Sequence, residues 1–284
     1  MLEHCQTAQE HFSYLQTVLC ALYDEREANT IASYLFEDLF QPIAQKTAHY
    51  KWSAQEKALL KRVVKELQQY RPWQYIVGRT EFYGLPFYVD EAVLIPRPET
   101  EELVYFIIQE HRHQSPSILD VGTGSGCIAI SLQKKISNAV VAAVDVSVQA
   151  LALAQKNAVA NGVAVHFQQL NVLDPTARAA LPRYDIIVSN PPYILSADKT
   201  QMHTNVLAHE PHLALFVTNE DPLQFYKVLA DLGSKKLNKN GWLYVEIHEA
   251  FGPEVVACFQ QKNYKNCQII QDMYGKDRIV IGQI

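Results

Sequence analysis

The chain has 284 residues and a formal net charge of −5, and 48% of its residues are hydrophobic while 19% are charged. This length fits one large domain or two unequal ones, and the composition supports a buried core and excludes intrinsic disorder. The slight acidity argues against a protein that holds nucleic acid by bulk positive charge. Since no apolar run approaches the roughly 20 residues that cross a bilayer, the composition also argues against a membrane protein.

Residues 1–78 are predicted to form a small helical bundle, because their apolar residues recur at three- and four-residue steps. Ser53 followed by Glu56 resembles a capping box, which opens a helix. No pattern of reactive side chains stands out in this segment. We interpret it as a structural or partner-docking domain.

Residues 79–98 are predicted to form a β-hairpin linker. Aromatic and β-branched residues from Phe82 to Val89 flank Gly84 and Pro86, which is typical of two short strands joined by a turn. A helix rich in acidic residues follows, which suits the positive end of its dipole.

Residues 99–284 are predicted to form an α/β domain in which strands and helices alternate. That alternation predicts a mostly parallel sheet with helices on both faces, and a ligand beyond the carboxyl ends of the strands. The predicted strands are 118–121, 140–144, 163–168, 185–189, 242–247, 266–271 and 278–282, and the principal predicted helices are 127–134, 147–160, 222–237 and 251–261.

A glycine-rich turn follows the first of these strands and opens a helix. Its residues are Gly122, Thr123, Gly124, Ser125 and Gly126. Glycines allow the backbone to approach a ligand closely, and the first N–H groups of a helix can hold polar atoms.

The spacing of this turn, with Asp120 just before it, resembles motif I of the class I S-adenosylmethionine-dependent methyltransferases, and this resemblance implies a nucleoside cofactor rather than a dinucleotide. A dinucleotide turn requires Gly or Ala where this chain has Cys127, so NAD is disfavoured. Asp145 ends the next predicted strand, where a carboxylate can accept hydrogen bonds from ribose hydroxyls.

The tetrapeptide Asn190-Pro191-Pro192-Tyr193 directly follows the predicted strand 185–189. Each proline restricts its own φ and favours an extended conformation in the preceding residue, so the loop should be stiff. The side-chain oxygen of Asn190 and the carbonyl of Pro191 can accept the two hydrogens of an –NH₂ group, and Tyr193 offers a flat face for stacking. Such a clamp would orient a poorly nucleophilic amide or aromatic amine for attack on a methyl group.

Metal and disulfide chemistry are not indicated. The five cysteines form no CxxC pair, and no cluster of histidines and carboxylates has the spacing of a metal site. We therefore expect no metal ion and no disulfide framework.

Four separated motifs, in order, resemble the HemK/PrmC family. They are Pro72–Gly78 with Glu81–Gly84, then Leu94–Val104, then Asp120–Gly126 with Asn190–Tyr193, and finally Glu210-Pro211-His212 with Ala214-Leu215. The family methylates the glutamine of the Gly-Gly-Gln loop in class 1 peptide chain release factors. The resemblance covers roughly residues 70–284.

The resemblance implies a class I S-adenosylmethionine-dependent methyltransferase fold with a seven-stranded sheet and a small N-terminal helical domain. It also assigns 122–126, Asp145, Val172 and Asn190 to the cofactor, and 190–193 to the substrate glutamine; Asn190, Pro191 and Tyr193 would be catalytic. The family often has Asp where this chain has Asn171, which leaves that contact open.

By resemblance, the family motif around Arg97, Glu99 and Thr100 would help form the wall of the site; a helix cap and a surface charge are the plain alternative. For Glu210, a structural role and a functional one are equally compatible with the sequence.

Three other functions remain open at this point. A ribosomal-protein glutamine methyltransferase is the nearest alternative, but those relatives usually depart from the Arg97–Thr100 motif that this chain keeps. An adenine-N6 nucleic acid methyltransferase would usually need a basic groove, and a non-enzymatic binding module would not need the acceptor tetrapeptide. We expect release factors as partners, no direct nucleic acid binding, no membrane association, and a cytoplasmic location, since the start of the chain lacks a signal-peptide pattern.

Overall fold

The computed structural model describes Cys5 and residues 7–44 and 52–284, which divide into two compact units. The first contains the described residues up to Gly78 together with His203–His209. The second contains Arg79–Met202 and Glu210–Ile284. The boundary at Gly78 coincides with a left-handed φ of +76°, which ends a short helix.

The first unit is helical, as the apolar periodicity predicts. Its elements are α1 (Ala8–Leu19), α2 (Glu25–Ala44), α3 (Ala54–Gln68), α4 (Trp73–Val77) and α9 (Thr204–His209). Leu15, Leu35, Leu60 and Leu67 are fully buried in its core. The capping box at Ser53 is confirmed: Glu56 N donates to Ser53 Oγ at 3.2 Å, while the Glu56 carboxylate accepts from Ser53 N at 2.6 Å.

The second unit carries the hairpin, a seven-stranded sheet and its covering helices. The hairpin consists of β1 (Arg79–Phe82) and β2 (Leu85–Tyr88). The sheet strands are β3 (Ser117–Val121), β4 (Val140–Asp145), β5 (His166–Gln169), β6 (Tyr184–Ser189), β9 (Leu237–Glu246), β10 (Lys265–Gln271) and β11 (Asp277–Gln283). The helices are α5 (Pro98–His111), α6 (Cys127–Lys135), α7 (Val148–Ala160), α8 (Pro175–Ala179), α10 (His212–Leu215), α11 (Gln224–Lys236) and α12 (Gly252–Gln260). A short pair, β7 (Ile194–Leu195) and β8 (Phe216–Val217), stands apart from the sheet.

The strand order of the sheet is β10-β11-β9-β6-β3-β4-β5. The pairings among β9, β6, β3, β4 and β5 are parallel, whereas β11 is antiparallel to both of its neighbours. The mostly parallel seven-stranded sheet is therefore confirmed, and the order reverses between β3 and β6. In such sheets a ligand binds in the crevice at that reversal, outside the carboxyl ends of the strands.

Strand β9 begins five residues before its predicted start at Trp242. Leu237 already pairs with Tyr184, and the register then shifts before Ile186 pairs with Trp242. Asn240 adopts a φ of +65° within the extra residues. The predicted range 242–247 leaves Gly241 outside the strand, whereas in the structure it lies at the register shift of a strand that has already started.

One buried side chain of α7 bonds to both the hairpin and the glycine turn. Asn157 of α7 is fully buried; its Oδ1 accepts from Tyr88 N at 2.7 Å, and its Nδ2 donates to Tyr88 O at 3.0 Å. The same Nδ2 donates to Ser125 O in the glycine turn at 2.9 Å. A single amide therefore fixes both the hairpin and the turn against α7.

Among the residues that the structure describes, no helix is long and apolar enough to span a membrane.

We predict that Asn157→Ala destabilises the protein by about 2–4 kcal/mol, because it removes three hydrogen bonds and leaves the buried Ser125 carbonyl without this partner. Gln155→Ala on the exposed face of the same helix is the matched control, and should change stability by less than about 0.5 kcal/mol. Urea unfolding followed by circular dichroism measures both values. Equal stabilities for the two variants would contradict the prediction.

Candidate functional site

A cavity of about 320 Å³ lies at the carboxyl ends of β3, β4 and β6. It falls at the reversal of strand order, and its size is within the range of small-molecule sites. Its walls come from the segment after the hairpin, the glycine turn, the end of β4, and the loops that follow β5 and β6. The lining residues used below are Arg97, Thr100, Gly122, Thr123, Gly124, Ser125, Asp145, Asn171, Val172, Asn190 and Pro192.

The three glycines of the turn have backbone conformations that would be strained in residues with side chains. Gly122, Gly124 and Gly126 have φ values of +75°, +53° and +82°. A Cβ on Gly126 would also lie 2.9 Å from Ile130 Cδ1 and 3.1 Å from Ala154 Cβ. Both conformation and packing therefore require glycine at Gly126, which is the N-cap of α6.

Asp145 connects the turn to the end of β4. Its Oδ2 accepts from Gly124 N at 2.9 Å and its Oδ1 accepts from Ser147 N at 2.9 Å. A carboxylate has about four acceptor sites, so each oxygen of Asp145 keeps capacity for a further donor on the cavity side.

The tetrapeptide occupies the end of β6 beside this turn. Asn190 directly follows Ser189, the last residue of the strand, and its Nδ2 donates to Thr100 Oγ1 at 3.1 Å. Its Oδ1 has no hydrogen-bond partner within the described part of the chain. Tyr193 is half-buried, and its hydroxyl donates to Glu246 Oε1 at 3.1 Å.

The structure brings most of the predicted site residues to one cavity. Gly122–Ser125, Asp145, Val172 and Asn190 all line it, and so does Pro192. Within the described ranges, Gly126, Pro191 and Tyr193 do not line the cavity. Gly126 is the N-cap of α6 at the end of the turn, and the hydroxyl of Tyr193 donates to Glu246.

Asn171 also lines the cavity, but its side-chain oxygen already accepts from Leu173 N at 3.0 Å.

Glu210 joins the Arg97 segment to the loop before α10. Its carboxylate accepts from Arg97 Nη2 at 2.7 Å and from Ile95 N at 3.4 Å, and only 1% of its side chain is exposed. Arg97 lies on the cavity wall, and so does Pro211, directly after Glu210. This ion pair therefore holds two walls of the cavity together.

Sequence analysis missed one functional candidate, Glu246, at the carboxyl end of β9. It is 1% exposed and accepts hydrogen bonds from Thr100 and Tyr193. Burial raises the pKa of Glu246, while these two donors and the charge of Arg278 act in the opposite direction. A lone carboxylate at the end of an apolar strand is the signal that could have identified it.

A second buried carboxyl, Asp120, lies at the base of the glycine turn. Its Oδ2 accepts from Thr123 Oγ1 at 2.6 Å, whereas its buried Oδ1 has no partner among the described residues. Burial raises the pKa of Asp120 to about 7. The side chain is fully buried, so its charged form is poorly solvated.

The cavity fits a nucleoside joined to a short polar chain. Asp145 can accept from sugar hydroxyls, Val172 offers an apolar face for a base, and the glycine turn leaves room for the chain. Among the described residues, no group of three or more His, Cys, Asp and Glu side chains could hold a metal ion.

Comparisons with known proteins agree with this site. A family model described as "Methyltransferase small domain" matches residues 101–215. The release factor glutamine methyltransferase of Flavobacterium psychrophilum is 50% identical over 222 residues, which are 77% of each chain. The protein of the same name from Bacteroides thetaiotaomicron is 46% identical over 228 residues, covering 80% of this chain and 81% of that one.

The chain belongs to the release factor glutamine methyltransferase family. The resemblance seen in the sequence is thereby confirmed, and so is its methyltransferase fold. A methyltransferase from Pyrococcus furiosus superposes with a TM-score of 0.53 at 17% identity, covering 71% of this chain and 90% of that one, which supports the fold alone. Membership of this family implies use of S-adenosylmethionine.

We predict that Asp120 makes the wild-type protein less stable as pH rises from about 4 to about 7. The unfolded Asp has a pKa of about 3.9, and the folded one about 7. The folded state therefore holds the extra proton within this window, and the stability it contributes is lost as pH rises through the folded pKa.

Asp120→Asn keeps an acceptor for Thr123 and removes this titration. The stability of the variant relative to wild type should increase across the window, by at most about 4 kcal/mol. Thermal and urea unfolding at stepped pH values measure the difference. Parallel curves for the two proteins would contradict the prediction.

Proposed function

We propose that this protein transfers a methyl group from S-adenosylmethionine to N5 of the glutamine in the Gly-Gly-Gln motif of class 1 peptide chain release factors, in the cytoplasm. One observation carries the proposal: Asn190 borders the nucleoside-sized cavity with its amide oxygen available and its amide nitrogen already engaged. That arrangement suits a substrate with an –NH₂ group.

A carboxamide nitrogen is a weak nucleophile because its lone pair is delocalised into the carbonyl. Two acceptors that bind its two hydrogens fix the plane of the amide and stabilise the positive charge that builds on nitrogen during attack. Asn190 Oδ1 and the Pro191 carbonyl are the acceptors that we assign to this task. Proline at 191 and 192 restricts the loop that carries them.

When bound, S-adenosylmethionine supplies an electrophilic methyl group on a sulfonium. The glycine turn and Asp145 would hold it, and Asn190 would orient the attacking nitrogen. The nitrogen becomes strongly acidic once it is alkylated, so its proton can leave to solvent after transfer. No strong general base is therefore required of the chain.

The substrate assignment is supported by the names of the two relatives and by the motif at Arg97–Thr100. A ribosomal-protein glutamine has the same reacting group, and adenine N6 is also a planar amine. The net charge of −5 weighs against a nucleic acid substrate.

In the deciding experiment, purified protein and labelled S-adenosylmethionine are incubated in parallel with three substrates: a class 1 release factor, a ribosomal protein and DNA. We expect label on the release factor and none when the glutamine of its Gly-Gly-Gln motif is replaced by Ala. Peptide mass spectrometry then locates the methyl group. Label on DNA alone, or on the ribosomal protein alone, would overturn the assignment.

We predict that Asn190→Ala lowers kcat on the release factor by about 100- to 1,000-fold, as removal of one oriented hydrogen-bonding group does in other enzymes. The dissociation constant for S-adenosylhomocysteine, measured by calorimetry, should change by less than about threefold. Asn219→Ala, an exposed asparagine away from the cavity lining, is the matched control. Equal losses in turnover and cofactor affinity would show that Asn190 acts mainly on the cofactor.

A further inference from the structure

Four side chains form a connected series of hydrogen bonds, one end of which lies at the cavity. Asn190 Nδ2 lies 3.1 Å from Thr100 Oγ1, and Thr100 Oγ1 lies 2.7 Å from Glu246 Oε2. The other oxygen of Glu246 lies 3.1 Å from the Tyr193 hydroxyl. Thr100 is 2% exposed and Glu246 is 1% exposed, so water competes little for these bonds.

These hydrogen bonds run in one direction, which the carboxyl group of Glu246 determines. Thr100 Oγ1 donates to Glu246 Oε2 and the Tyr193 hydroxyl donates to Oε1, so both oxygens of the carboxyl group act as acceptors. The lone pairs of Thr100 Oγ1 then remain for Asn190, and only the –NH₂ half of the amide can donate to them. The oxygen half of Asn190 is thereby left for the substrate.

Three separate elements bring these groups together. Thr100 is in the first turn of α5, Glu246 is the last residue of β9, and Asn190 follows β6. Because β6 and β9 are parallel neighbours with Ser189 opposite Val245, their next residues, Asn190 and Glu246, emerge side by side. The contact is built by the register of the central sheet.

We propose that Thr100 and Glu246 are positioning residues that set the orientation of the Asn190 amide, so that its oxygen and not its nitrogen faces the substrate. This inference rests on the proposed role of Asn190 in binding the substrate –NH₂ group. The two halves of a carboxamide have nearly the same shape, so packing alone does not distinguish them. The reversed amide would present N–H donors to the N–H donors of the substrate, so the two groups could not hydrogen-bond and the substrate nitrogen would not be oriented.

Thr100→Val tests the proposal, since it keeps the shape of the side chain and removes the hydroxyl. We expect kcat to fall about 10- to 100-fold, with the dissociation constant for S-adenosylhomocysteine within about twofold of wild type. Thr100→Ser should restore kcat to within about threefold of wild type. Thr176→Val, at an exposed threonine, controls for the same chemical change and should leave kcat unchanged.

A double-mutant cycle separates positioning from a general structural role. If Thr100 acts through Asn190, then Thr100→Val should cost nothing further in an Asn190→Ala background, measured under single-turnover conditions with label. Multiplicative losses would overturn the proposal, and so would a wild-type kcat for Thr100→Val. If Thr100→Val does not fold, Glu246→Gln replaces it in the same cycle and decides between the two outcomes. Its amide can donate to Thr100 and reverse the direction of the hydrogen bonds.

These variants are assayed on whichever substrate the wild-type protein methylates. Absence of label on release factors would therefore refute the proposed substrate without touching this inference. Conversely, full release-factor activity in Thr100→Val would refute the positioning role and leave the substrate assignment intact.

Discussion

The parallel alignment of β3, β4, β6 and β9 is the constraint on which the site depends. Their carboxyl ends meet at one edge of the sheet, and each end contributes one group: the glycine turn, Asp145, Asn190 and Glu246. These groups are far apart in the sequence, and only the pairing of the strands that carry them brings them together. Register thus determines which side chains become neighbours, and a slip of one residue in β6 or β9 would turn Asn190 or Glu246 to the other face.

Two carboxyl groups are buried near this edge of the sheet, and they differ in how well they are hydrogen-bonded. Asp120 has one oxygen without a partner among the described residues, and burial raises its pKa to about 7. Glu246 has donors on both oxygens and the charge of Arg278 nearby. Asp120 is therefore a local energetic cost at the base of the glycine turn, whereas both oxygens of Glu246 are satisfied by hydrogen bonds. Buried polar groups that are fully bonded give rigidity, which is what a positioned amide requires.

Sequence reasoning predicted the fold well because its signals are local. The helical bundle, the hairpin, the glycine turn and the mostly parallel sheet follow from periodicity and turn chemistry. The contacts of Asn157, Thr100 and Glu246 could not be predicted, because they join residues 69, 90 and 146 positions apart. The extra length of β9 was also missed, since the pairing of Leu237 with Tyr184 and the register shift that follows depend on the neighbouring strand. Arg97 and Glu210 were singled out, but only the structure shows that they pair.

The segment His203–His209 belongs to the helical unit, although it lies within the sequence of the catalytic one. His209 Nε2 bonds to Gln69 O at 2.8 Å, and the next residue is Glu210, which pairs with Arg97. The backbone therefore passes between the units at three points. A shortened protein that began at Arg79 would keep this heptapeptide and lose its packing partners. Any attempt to study the methyltransferase unit in isolation has to replace or redesign those seven residues as well as remove the first 78.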